Sequence, residues 1–292
     1  MSSPTVLDAP QGAGMPKREW QSYEDPSGPP GLRSRIARFY EDHRAFIRGL
    51  TTVVVLLIAW EVVCRLWMKK SLAVAPPSAV YHAYIHLARN GQLGKDVVTS
   101  LKEFLIGFAL AAAVGITLGL LMGGIRAVRE YLEPIVNGLY ATPVIALAPL
   151  FILWFGIGIN SKIAVVFILA VLPIVINTET GIRTVDGHLI ETAYAFSASR
   201  AQIFRKVLLP GALPLLVAGL RLGIGRGLLG VVAGELFAAQ AGLGYLIFAS
   251  SQLFDPAGVF VGITALAFAG IVSVALLKRV EKRLAPWRTD TE

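Results

Sequence analysis

Long apolar runs separated by short polar stretches set the pattern of this chain. Three runs, 104–125, 134–161 and 256–277, contain no Asp, Glu, Lys or Arg. A helix needs about 20 apolar residues to cross the hydrocarbon core of a bilayer, and each run is long enough. Weaker spans lie at 50–67, interrupted by Glu61 and Arg65, at 163–178, and at 213–239, which carries Arg221, Arg226 and Glu235. Barrel strands alternate in short segments, so uninterrupted runs predict helices. The expected architecture is an all-α membrane protein with six transmembrane helices.

One interlude breaks the pattern. From about 181 to 211 the chain turns polar and basic, with Arg183, Arg200, Arg205 and Lys206. Asp186 and Gly187 precede a stretch of helical composition, His188 to Phe196. Ser199 and Gln202 then match a capping box, which predicts a second short helix from Arg200 to about Leu208. Pro210 and Pro214 should bracket the start of the next span. Ala193, Ala195, Ser197, Ala198 and Ala201 keep the bend thin enough to enter a groove on another protein. An amphipathic hairpin lying on the lipid surface fits the same residues equally well.

Composition agrees with the membrane reading. Only 16% of the 292 residues are charged, against about 25% in soluble domains. The net charge of +8 could point to nucleic acid, but its distribution argues for topology instead. Eighteen Lys and Arg fall in the N-terminal region, the second-to-third loop, the interlude and the C-terminus, against five in the opposite loops, Lys162 among them. The positive-inside rule then places both termini and the interlude in the cytoplasm. Residues 1–48, rich in Pro, Gly and Ser, read as a flexible basic tail; 49–284 form the membrane domain, and 285–292 a short cytoplasmic tail. The Ala73–Val74–Ala75 triplet resembles a signal-peptidase site, but some fifty residues and two lysines stand against cleavage.

Ionisable residues at membrane depth usually face a cavity or a partner, because a charge at mid-bilayer costs about 3 kcal/mol on insertion scales. Glu235, Arg226 and Arg221 are therefore candidates to line a translocation pathway. Packing against neighbouring helices, or snorkelling by Arg221, is the alternative. Tyr140, beside Pro143, and Asn177, near Glu179 at the cytoplasmic end of the fourth span, are further pathway candidates. Glu61 and Arg65 read as an internal i,i+4 pair. Two ladders of small residues, Ala111–Gly115–Gly119–Gly123 and Gly219–Gly223–Gly227, allow close helix approach, within the subunit or at a dimer face.

Catalytic readings find little support. The chain has no GxxxxGK[ST] and no HExxH motif, so it should hold neither ATP nor a catalytic zinc by those means. Cys64 is the single cysteine, which leaves no disulfide framework, and no metal site is expected. His82 and His86 stand one turn apart without further ligands. A self-sufficient secondary transporter or channel is the alternative class, but its usual internal repeats are not visible.

The interlude carries a resemblance. Glu191-Thr192-Ala193, Ser197 separated by nine residues from Val207, and Leu209-Pro210 resemble the EAA loop of binding-protein-dependent ABC importer permeases. Ser197 stands where that pattern has glycine; if the bend requires a positive φ, serine there is strained. "APLFILWFGIG", "LPIVINT", "AGLRLGIGR" and "GLGYLI" look like the nitrate, taurine and alkanesulfonate branch. The resemblance implies one N-terminal helix plus a five-helix type I importer core, in the bacterial cytoplasmic membrane. It also implies that Glu191, Thr192, Ala193, Ser197, Leu209 and Pro210 belong to the element that couples the permease to an ATPase. Implied partners are a second copy of the chain, two ATP-binding cassette subunits that bind ATP and Mg, and an external solute-binding protein. No cofactor is expected on the chain itself. Lys102-Glu103 replaces an Arg found in many relatives, and Leu139 to Pro143 departs from their Arg-Pro-x-Pro, so the charge of the substrate stays open.

Overall fold

The computed structural model describes residues 44–67 and 74–284. Most of the expected tail 1–48, the lysines at 69 and 70, Ala73 and the tail 285–292 lie outside the described residues. The chain divides at Leu56 into two compact units, the first contributing only the opening turns of one helix to the described residues.

Helices make up all the regular structure among the described residues. They are α1 (Arg44–Trp67), α2 (Pro77–Arg89), α3 (Gln92–Gly124), α4 (Arg126–Ala141), a 3₁₀ turn (Val144–Leu147), α5 (Ala148–Phe155) and α6 (Ile159–Arg183). Next come α7 (Gly187–Ala195), α8 (Arg200–Ile203), a π turn (Phe204–Leu208), α9 (Leu209–Ala238), α10 (Leu243–Gln252) and α11 (Pro256–Leu284).

Five segments are long and apolar enough to cross a membrane: most of α1, α3, α6, the rod from α8 through α9, and α11. The third expected span differs. Instead of one helix over 134–161, α4 and the segment after it meet at an angle of 86°. Pro143 is the physical reason, since the residue before a proline avoids helical ψ. Thr142 is extended at φ −78° and ψ 140°, so α4 ends at Ala141.

At the centre of the second unit α6 runs between α3 and α9, with Val166, Ala170 and Ile174 fully or almost fully buried. Both small-residue ladders face it, which places them inside the subunit. A methyl group added at Gly119 would meet Thr178 Cβ at 2.5 Å, and one at Gly230 would meet Val166 Cα at 2.8 Å. Van der Waals contact between bare helix backbones holds the bundle where lipid removes the hydrophobic drive. A smaller core of Leu93, Leu243, Leu246 and Val261 joins α3, α10 and α11. Glu61 does more than pair with Arg65 at 2.5 Å: its carboxylate also accepts the Ser78 N–H at 3.0 Å and the Ser78 hydroxyl at 2.8 Å. That fixes the start of α2, whose first amides have no partner within the helix.

Candidate functional site

The interlude folds as a helix, a bend and a second helical turn. Asp186 Oδ1 accepts the His188 N–H at 2.9 Å and caps α7. The bend closes through Ala198 N–H to Ala193 O at 3.1 Å and Ser197 N–H to Tyr194 O at 2.8 Å. Ser197 sits at φ 55°, the left-handed region that costs a side-chain-bearing residue about 1–2 kcal/mol. The capping box is present: Ser199 Oγ accepts the Gln202 N–H at 3.3 Å, and Gln202 Oε1 accepts the Ser199 N–H at 2.7 Å. Glu191 and Thr192 are exposed on α7, Ala193 is half-buried, and Phe196 at the bend is 84% exposed.

Pro210 and Pro214 do stand at the start of the next span, inside one continuous helical rod. α8 widens into a π turn and continues into α9, so that Leu209 and Pro210 begin the membrane helix itself. A proline ring clashes with the carbonyl four residues back, here that of Lys206. The wider turn accommodates it, with the Leu209 N–H bonded to Phe204 O.

The pathway candidates fall into separate places. Arg221 reaches Glu281 of α11 at 3.5 Å. Asn177 donates its side-chain amide to Pro173 O on its own helix at 2.8 Å, close to Gly219 of α9. Tyr140 and Arg226 come together. They line one cavity of about 170 Å³ at the break after α4, with Val144, Leu172 and Leu229.

Glu235 is only 1% exposed and lies within the subunit. Its Oε1 accepts the Ser100 hydroxyl at 2.6 Å, and Ser100 Oγ in turn accepts the Leu243 N–H at 2.8 Å. Its Oε2 accepts the Gly244 N–H at 2.5 Å, while Asp96 Oδ1 accepts the Gly242 N–H at 2.9 Å. Three side chains of α3 and α9 thus hold the first amides of α10, the groups a helix cannot satisfy itself. Beside them Lys162 Nζ binds Glu103 Oε1 at 2.8 Å, with both side chains buried. Asp96, Ser100 and Lys162 were not singled out from sequence. Asp96 and Ser100 lie one helical turn apart, a spacing that could have marked a polar stripe on α3. Lys162, counted among the external loop charges, is instead in the first turn of α6, facing α3. His82 and His86 line an open depression, and no group of three or more metal-ligating side chains exists among the described residues.

Residues 115–286 match the family described as binding-protein-dependent transport system inner membrane component. The chain belongs to this family. It is the membrane-spanning permease subunit of an ABC importer. Curated relatives extend the match over most of the chain. The aliphatic sulfonates transport permease protein SsuC of Bacillus subtilis is 33% identical over 247 residues, covering 85% of this chain and 90% of that one. The taurine transport system permease protein TauC of Escherichia coli is 32% identical over 84% and 90%. The riboflavin transport system permease protein RibX of Chloroflexus aurantiacus is 36% identical over 82% and 89%. Among solved structures, an inward-facing form of the MetNI methionine ABC transporter aligns with a TM-score of 0.57 at 22% identity, covering 65% of this chain and 94% of that one. That likeness supports the type I importer fold of the permease.

Proposed function

We propose that two copies of this permease enclose a pathway for a small organic nutrient. An external binding protein would deliver the solute, and two separate ATPase subunits would drive transport. The names of the sulfonate and taurine relatives support a small solute of that kind. The observation that carries the reading is the interlude: a thin, exposed bend between α7 and α8, rigidly continued into a membrane helix. Glu191, Thr192, Ala193 and Ser197 would form the face that enters a cleft on the ATPase, with Leu209 and Pro210 joining that face to α9. Nucleotide and magnesium would be held by the ATPase, and the basic loops and both termini would lie in the cytoplasm.

Co-expression with a cognate ATPase and binding protein, followed by reconstitution, tests this. Loaded binding protein should stimulate ATP hydrolysis, and a cysteine at position 200 should be shielded from reagents applied outside the cell. Uptake that proceeds without the ATPase would favour a secondary transporter and overturn the reading.

A further inference from the structure

Arg226 lies near the middle of α9, in a segment apolar enough to span the membrane. An arginine at that depth is expensive unless something answers its charge. Three other basic residues in membrane-length helices are answered: Arg221 by Glu281, Lys162 by Glu103 and Arg65 by Glu61. Arg226 makes no hydrogen bond or ion pair with another described residue, and its side chain is exposed into the cavity it shares with Tyr140. The Tyr140 hydroxyl is likewise unengaged among the described residues. Thr142 also borders the cavity, with its hydroxyl donated to Gly138 O at 2.9 Å, and the rest of the wall, Val144, Leu172 and Leu229 among it, is apolar.

We infer that Arg226 and Tyr140 form an anion-binding station in the transport pathway, for a small organic sulfonate or carboxylate. The guanidinium presents paired N–H donors that match two oxygens of an oxyanion head, and the phenol adds a third donor. The apolar wall receives a short carbon tail. At about 170 Å³ the cavity is smaller than the ~300–1,000 Å³ that drug-sized ligands occupy, so it suits a molecule of a few heavy atoms. Glu103, which by sequence left the charge of the substrate open, does not oppose an anion, because Lys162 neutralises it inside the bundle. Lipid head groups are excluded by depth, since the station lies far from either end of α9.

The inference rests on the permease reading, and one preparation separates the two. The complex of permease and ATPase is placed in phosphatidylcholine nanodiscs, and binding of radiolabelled ethanesulfonate is measured without binding protein, with neutral ethanesulfonamide as competitor. The parent should bind ethanesulfonate and be indifferent to the sulfonamide. Arg226→Gln should weaken binding by about tenfold or more, the scale of losing hydrogen bonds to a charged group. Arg226→Lys should retain part of the affinity, since the charge stays and the fork is lost, and Tyr140→Phe should lose less than Arg226→Gln. Arg226→Gln leaves the packed core untouched, and its co-purification with the ATPase verifies folding. If Arg226→Gln binds like the parent, if the sulfonamide competes equally, or if the parent does not bind, the station is overturned while ATPase association keeps the permease reading. If the parent fails to associate with the ATPase, both fall.

Discussion

Ser100 gives its hydroxyl hydrogen to Glu235 at 2.6 Å, tying α3 to α9 through a side chain that also receives the Leu243 amide. Removing the hydroxyl leaves a buried carboxylate oxygen and a buried amide without this partner. Ser100→Ala should therefore lower stability by about 1–3 kcal/mol, and Glu235→Ala by more, because it also frees the Gly244 amide. Glu235→Gln, which keeps one accepting oxygen, should cost least. Thermal unfolding of the purified permease gives this order. A Glu235→Gln protein that melts like the parent yet fails to transport would instead assign the carboxylate's charge to the pathway.

Lys162 and Glu103 form a pair buried on both sides. Breaking such a pair from one side strands a charge and costs about 3–5 kcal/mol, whereas replacing both partners by apolar residues is often neutral. Glu103→Gln and Lys162→Met should each lower the melting temperature and yield, and the double variant Glu103→Leu/Lys162→Met should recover most of the loss. Equal damage in single and double variants would count against this account.

Two glycines of α3 make opposite expectations. A methyl group at Gly119 would press on Thr178 and the Val175 carbonyl of α6, whereas one at Gly94 meets nothing within 4 Å. Gly119→Ala should destabilise by about 1–3 kcal/mol, as overpacking does. Gly94→Ala should stabilise by about 1 kcal/mol through helix propensity alone. Chemical or thermal denaturation in detergent compares them directly.

At the bend proposed to couple to the ATPase, size should matter more than surface charge. Ala193→Trp should abolish co-purification with the ATPase, while Glu191→Ala should weaken the response of ATP hydrolysis to binding protein more than assembly. Arg205→Ala/Lys206→Ala should matter less than either. Ser197→Gly should keep coupling and gain about 1 kcal/mol, because glycine adopts a positive φ without steric cost. A hairpin lying on lipid would reverse the order, tolerating Trp at 193 and suffering from loss of the basic pair.

Much of this was legible from residue order. Charge-free runs located most of the spans, the Ser199–Gln202 capping box emerged where the sequence placed it, and the positive φ at Ser197 answers the glycine of the family pattern. The misses have physical causes. A proline inside the charge-free run 134–161 reads as a kink, but composition could not set its size at 86°. Pro210 marked the start of the next span, but nothing local announces the π turn that carries the chain into it without a clash. The pairing of Lys162 with Glu103, 59 positions apart, and of Glu235 with Ser100 depends on how α3, α6 and α9 pack. Tyr140 and Arg226, singled out for unrelated reasons, were brought into one cavity only by the fold.

The π turn at 204–208 has a mechanical consequence. Because it welds α8 to α9 without a joint, the 38 residues from Arg200 to Phe237 form a lever about 57 Å long at 1.5 Å per residue. One end carries the exposed bend, Arg226 stands about two-thirds of the way along, and the far end carries the carboxylate that holds α10. A tilt of only about five degrees about the end that carries the bend sweeps the far end by about 5 Å over that length, enough to carry Glu235 a full hydrogen-bond length away from Ser100. The same stroke moves Arg226 by roughly two-thirds as much, so a tilt that starts at the bend reaches the Tyr140 cavity and the α10 end of the lever together.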